Sequence, residues 1–153
     1  MNTERRKVER ITQEVRACFN RLKALGDELH SDLGISASMR AVMEALHVGE
    51  EQTVPQIARG KAVSRQHIQI LTNKLAENGL VKIRSNPNDK RSPLVSLSEK
   101  GKITFSVMHQ REKEAFDDLI TGLAGCNFDA ALEVLEAMHM HLDHKLESKR
   151  SST

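Results

Sequence analysis

The stretch TVPQIARGKAVSRQHIQILTNKLAENG, residues 53–79, carries two helix starts and two helix stops. Thr53-Val54-Pro55-Gln56 reads as a capping box with proline in the first turn, opening a short helix through Ile57 and Ala58. Gly60-Lys61-Ala62 ends it. Ser64 offers the next N-cap, with Val63 before it and Ile68 at the fourth helical position as a hydrophobic staple. Ile68, Leu71 and Leu75 recur at helical spacing on an inward stripe, and Asn78-Gly79 is the stop. Two helices joined by a turn of about four residues, the second with a polar and basic first turn, form a helix-turn-helix.

Downstream, Leu80-Val81-Lys82-Ile83-Arg84 and Leu94-Val95-Ser96-Leu97 alternate apolar and polar residues around the segment from Ser85 to Pro93. This predicts a two-stranded β ribbon with a long basic tip, a wing. Ser98 then caps a long helix carrying Ile103, Val107, Met108, Phe116, Leu119, Ile120 and Leu123, which Gly122 and Gly125 interrupt. In a last helix Phe128, Leu132, Leu135, His139, Leu142 and Leu146 follow in three-four steps. Upstream, Val8, Ile11, Val15, Cys18, Leu22, Leu25 and Leu29 keep the same alternation, the seam of a helix that packs lengthwise on another. Ser36 caps a second helix with apolar Met39, Val42, Met43 and Leu46. The fold class is mainly α with a small two-stranded β wing: a winged helix-turn-helix plus a helical dimerisation region. The expected divisions are 1–34 for an N-terminal dimerisation helix, 35–101 for the winged helix-turn-helix, 102–147 for C-terminal dimerisation helices and 148–153 for a disordered tail.

The chain has 153 residues, enough for one domain with a true core. Its longest run without Asp, Glu, Lys or Arg is the ten residues from Leu119 to Phe128, too short to span a bilayer. Residues 1–7 lead into no apolar stretch that could act as a secretion signal, so a cytoplasmic location is expected, without a membrane partner. Two cysteines, Cys18 and Cys126, form no disulfide framework and no metal-pair spacing. Aromatic content of 3%, with no Trp or Tyr, removes stacking platforms for single-stranded nucleic acid. The net charge of +2 conceals a segregation: residues 59–102 hold ten basic against three acidic residues, 10 − 3 = +7, and the remainder holds thirteen against eighteen, 13 − 18 = −5. One surface therefore suits a polyanion.

With these elements in place, the chain resembles the MarR family of winged-helix transcription regulators. The resemblance rests on Ile57-Ala58, on Val63-Ser64-Arg65-Gln66-His67-Ile68, on Leu75-Ala76-Glu77-Asn78-Gly79-Leu80-Val81, and on Asp89-Lys90-Arg91 followed by Leu97-Ser98-Glu99-Lys100-Gly101. Met39, where the family often has Gln, and the absence of Tyr and Trp are departures. The resemblance implies a homodimer whose first and last helices interlock, and two winged helices straddling a pseudo-palindromic operator in double-stranded DNA. It also implies a repressor of a neighbouring operon, released when a small aromatic or anionic effector enters the crevice between dimerisation helices and winged helix. Arg16, His30 and Arg40 are the basic candidates bordering that crevice.

On the recognition helix, Ser64, Arg65, Gln66, Gln69, Asn73 and Lys74 avoid the inward stripe and face the groove. Arg65 and Gln66 are placed for base edges, a guanidinium suiting guanine and an amide adenine. Ser64, Gln69, Lys74 and Thr53 are placed for phosphates. At the wing Arg91 is expected in the minor groove, with Arg84 and Lys90 completing the basic tip. The resemblance implies that Asp89 holds the wing arginines in place.

Other chemistries have less support. His139, His141 and His144 lie on different faces of one helix, so no metal site is assigned and no cofactor is expected. Cys18 sits in an apolar seam, which favours packing over redox sensing. No nucleophile, base and orienter set is identifiable, so no enzyme is expected. A metal- or redox-responsive regulator of the same fold, and a winged-helix protein-interaction module without DNA binding, are the alternatives.

Overall fold

A computed structural model of the chain describes residues 3–150, which form two compact units, 3–115 and 116–150. The elements run α1 (Thr3–Leu29), a 3-10 turn (Ser31–Leu33), α2 (Ala37–Gly49), β1 (Gln52–Thr53), α3 (Val54–Lys61), α4 (Arg65–Glu77), β2 (Val81–Arg84), β3 (Leu94–Leu97), α5 (Glu99–Gly122) and α6 (Phe128–Arg150). The second unit comprises the end of α5 and α6. The four helix starts read from capping residues, at Ser36, Thr53, Ser64 and Ser98, form as expected. Ser36 Oγ accepts from the Met39 N–H, Thr53 and Gln56 make a reciprocal capping box, and Ser64 Oγ accepts from the His67 N–H.

Two features differ from the sequence reading. The sheet has three strands in the order β1-β3-β2, because Gln52 and Thr53 pair with Val95 and Leu94 on the free edge of β3. Two residues are too few to show an alternating pattern. And α6 continues through Arg150, so Ser148-Lys149-Arg150 are helical where a disordered tail is expected; residues 151–153 lie outside the described residues. The stop between α3 and α4 falls within the expected Gly60-Lys61-Ala62, on Ala62, in the left-handed region at φ 54°, whose N–H returns to the Ala58 and Arg59 carbonyls.

The core of the first unit joins Val42, Met43 and Leu46 of α2 to Ile57 of α3, Ile68, Leu71 and Leu75 of α4, Val95 and Leu97 of β3, and Phe105 and Met108 of α5. On α5 the packed face is Phe105, Met108 and Glu112, at i, i+3 and i+7, while Ile103 and Val107 are exposed. The junction between sheet and α5 is close-fitted. Ser98 Oγ donates to the Gly79 carbonyl at 2.6 Å and accepts from the Gly101 N–H at 2.9 Å. A Cβ on Gly101 would stand 2.0 Å from the Leu80 carbonyl oxygen, so only glycine allows α5 to start there.

Glu112 is the buried charge of this unit. Its carboxylate receives both arms of the Arg40 guanidinium, Nε and Nη2 at 2.6 Å each, and lies 3.0 Å from His30 Nε2. Arg40 also pairs with Glu44 at 2.9 Å and stacks 5.5 Å above the Phe105 ring. Burial works to raise the Glu112 carboxyl, but the Arg40 and His30 hydrogen bonds outweigh it and hold the pKa below its ordinary value. The preceding residue, Arg111, grips both Asp32 oxygens, at 2.6 and 2.9 Å, and the Leu29 carbonyl. α5 is thus tied to the end of α1 and to α2.

Two stability outcomes follow. Gly101→Ala should cost about 3 kcal/mol in urea unfolding, because backbone must move to admit one methyl group. Glu112→Gln should cost about 2–3 kcal/mol at pH 7 by leaving Arg40 half-neutralised. Because the folded-state pKa of Glu112 is lowered, its contribution is complete above the unfolded value near pH 4.3 and disappears as pH falls through the folded value. The wild-type chain should therefore lose stability below about pH 4.3 more steeply than Glu112→Gln, as thermal melts across an acid series would register.

Candidate nucleic-acid interface

Helix α4 buries Ile68, Leu71, Thr72 and Leu75 and leaves Arg65, Gln66, Gln69, Asn73 and Lys74 exposed, as their positions off the apolar stripe require. Gln69 Nε2 donates to Asn73 Oδ1 at 2.9 Å, so these amides act as one unit that retains an acceptor on Gln69 and donors on Asn73. Ser64 caps the helix with its exposed side chain. Beside α4, the wing and the start of α3 close a cleft of about 520 Å³. Arg65, Gln66 and Gln69 line one side, Asp89 and Arg91 the other, and Val54, Ile83 and Val95 are among the apolar residues between them. The structure thus brings together the first turns of α4 and the wing tip, thirty residues apart or less in sequence.

Several expected contacts take other roles. Thr53 is 7% exposed, and its hydroxyl both donates to Gln56 Oε1 and accepts from the Gln56 N–H. In the single chain its O–H donor is therefore engaged within the capping box. Arg84 makes a two-armed pair with Glu51, at 2.7 Å through Nε, and this guanidinium holds the Glu51 carboxyl below the usual carboxylate range. Arg84 is therefore neutralised at the base of the wing rather than presented at its tip. Among the described residues Asp89 makes no ion pair with an arginine side chain. Its carboxylate accepts from the main-chain N–H of Arg91 at 2.9 Å, a local turn that sets the backbone from which Arg91 projects.

The effector candidates also separate. His30 is fully buried against Glu112, Arg40 is held by Glu112 and Glu44, and Arg16 is exposed on α1. A second cleft of about 370 Å³ lies among α1, α2 and α4, lined by Phe19, Leu22, Ala41, Val42, Leu71 and Arg40 among others. Of the three candidates, Arg40 alone borders it. His139 pairs with Asp143 at 3.1 Å along α6, His141 and His144 are exposed, and Cys18 and Cys126 are exposed in the single chain. Among the described residues no helix is long and apolar enough to cross a membrane.

Two residues absent from the sequence reading shape the site. Asn86, 9% exposed, donates to the Ser92 carbonyl at 3.0 Å and accepts from the Asn88 N–H, bracing the wing loop from inside. The Asn86-Pro87-Asn88 turn composition is the sequence signal for it. Glu51 is the other, and nothing local marks it, since its partner lies thirty-three residues away.

Pairing redistributes the charge of the basic segment. Lys61 pairs with Glu44, Arg84 with Glu51 and Lys102 with Glu99, while Lys100 donates to the Asn78 carbonyl. Arg65, Lys74, Lys90 and Arg91 have no ion pair among the described residues. Arg59 on α3 and Lys82 on β2 likewise have no ion pair among the described residues, so the unpaired cations include those of the recognition helix and the wing tip without being confined to them.

No family model matches the chain. An uncharacterised protein of Mycobacterium tuberculosis strain H37Rv is 41% identical over 59 residues, 39% of this chain and 41% of that protein. The transcriptional activatory protein BadR of Rhodopseudomonas palustris is 28% identical over 108 residues, 69% of this chain and 62% of BadR. The match thus spans about two fifths of the mycobacterial protein's length and under two thirds of BadR's. Among solved structures, reduced AbfR bound to DNA superposes with a TM-score of 0.76 at 17% identity, covering 95% of this chain and 99% of AbfR. A cysteine-to-serine mutant of E. coli MarR complexed with operator DNA gives 0.74 at 22% identity, over 86% and 94% of the two chains. Bordetella bronchiseptica BpsR, whose DNA binding is regulated by 6-hydroxynicotinic acid, gives 0.74 at 18% identity over 85% and 98%. The chain therefore has the winged-helix fold of the MarR family of DNA-binding transcription regulators.

Proposed function

We propose that this chain is a homodimeric transcription regulator that binds a pseudo-palindromic operator in double-stranded DNA. The observation that carries the reading is the cleft between recognition helix and wing, lined by Arg65, Gln66, Gln69 and Arg91, with neither arginine ion-paired among the described residues and with Lys74 on α4 and Lys90 at the wing tip exposed and unpaired as well. Arg65 and Gln66 read base edges from the start of α4, Ser64, Gln69, Asn73 and Lys74 fix register on the duplex, and Lys90 and Arg91 bring the wing to the minor groove. Repression is the simplest mode of action, since a protein seated on a promoter excludes other proteins by occupancy alone.

Apolar seams support the dimer. Val8, Val15 and Leu22 on α1, and Leu132, Leu135, Leu142 and Leu146 on α6, are all exposed in the single chain. In residues 1–34 and 102–147, such stripes are the natural cover for a second copy, and two-fold symmetry would then set the recognition helices about 34–36 Å apart. The apolar cleft bordered by Phe19, Leu22, Ala41 and Arg40 suits the ring of a small effector, with Arg40 as the cation for its acidic group.

Fluorescence anisotropy on operator duplexes selected from a random pool tests the DNA reading. Affinity should fall by a factor of about 10³ or more between 50 and 200 mM salt. Arg65→Ala should cost about 1–3 kcal/mol and relax the base preference, whereas Arg91→Ala should weaken binding and flatten the salt slope. Salt-independent binding would exclude phosphate contacts as the driving force. For the dimer, Leu132→Glu with Leu142→Glu should sediment as a monomer and bind the full operator about 10² to 10⁴ times more weakly, through loss of the linked second half-site.

A further inference from the structure

Ile70 is the one large apolar side chain of α4 that is exposed, at 49%, and it stands in the middle of the helix's outermost ridge. At 100° per residue, Gln66, Ile70, Asn73 and Glu77 lie directly opposite the buried stripe of Ile68, Leu71, Thr72 and Leu75. The exposed apolar residues of α1 and α6 belong to continuous seams; Ile70 does not. Gln66 lies one turn before it and Asn73 and Lys74 one turn after, so it is a single apolar point in a field of amides and unpaired cations. Such a point is too small and too polar in its surroundings for a protein partner, whose docking patch needs several hundred Å² of apolar surface. Duplex DNA offers the matching feature, because the only apolar group on the major-groove edges of the bases is the C5-methyl of thymine.

We propose that Ile70 is a specificity-determining residue that packs on a thymine C5-methyl in each operator half-site. This rests on the DNA-binding reading above. The amides flanking Ile70 select hydrogen-bonding edges, and Ile70 adds a requirement that no hydrogen bond can express: thymine is preferred over cytosine, and over uracil, which keeps thymine's pairing edge and lacks only the methyl.

The experiment uses the full chain and duplexes selected from a random pool, with each thymine replaced in turn by deoxyuridine. At one symmetry-related pair of positions the replacement should weaken wild-type binding about fourfold per half-site, the value of keeping one methyl group out of water. Ile70→Ala should bind the thymine and uracil duplexes equally at that position, Ile70→Val should retain part of the preference, and Gln66→Ala should retain all of it. Circular dichroism melts check that Ile70→Ala is folded. Wild-type indifference to uracil at every position, or an Ile70→Ala variant with an unchanged thymine-to-uracil ratio, would overturn the proposal. Failure of the wild-type chain to enrich any duplex at low salt would overturn the DNA-binding reading and this assignment with it.

Discussion

The Glu112 carboxylate is the constraint on which the rest of the first unit depends. It receives the Arg40 guanidinium from α2 and faces His30 beyond the end of α1, while its own helix, α5, leaves directly from the sheet through Ser98 and Gly101. A charge with so little access to water is tolerable only when each of its oxygens is hydrogen-bonded. That requirement fixes the rotation of α5 and the spacing of α1 from α2 together. Apolar packing alone would allow these helices to slide; a two-armed guanidinium pair allows one register.

From that anchored frame, the recognition helix and wing hold their positions by separate local devices. Ser64 caps α4, Ile68, Leu71 and Leu75 press it into the core, and Asn86 and Asp89 shape the wing loop from within. None of these devices uses the side chains of Arg65, Gln66 or Arg91, which remain available to a partner. The acidic residues act in a complementary way. Glu44, Glu51 and Glu99 neutralise Lys61, Arg84 and Lys102 away from the cleft, while the cations of α4 and the wing tip keep their charge unpaired.

Most of the fold was legible in the sequence because its signals are short-range. The caps at Ser36, Thr53 and Ser64, the stop at Gly79 and the apolar stripe of α4 each involve residues within one or two turns of each other. The features that escaped lack such a signature. β1 is a pair of residues recruited by the edge of a strand forty residues away. On α5 the exposed Ile103 and Val107 resemble an inward face as strongly as Phe105 and Met108 do. At the site, the exposed positions of α4 followed from periodicity, whereas the capture of Arg84 by Glu51 depended on a partner thirty-three residues away.

The sequence by itself determined the order of helices, the helix-turn-helix, the wing and the residues that α4 turns outward, because helical period and capping chemistry act over a few residues and leave a local record. Only the tertiary structure decided which charges are free. Whether a cation meets an acid from another element depends on where the chain folds back, and no local pattern encodes the meeting of Arg84 with Glu51 or of Arg40 with Glu112.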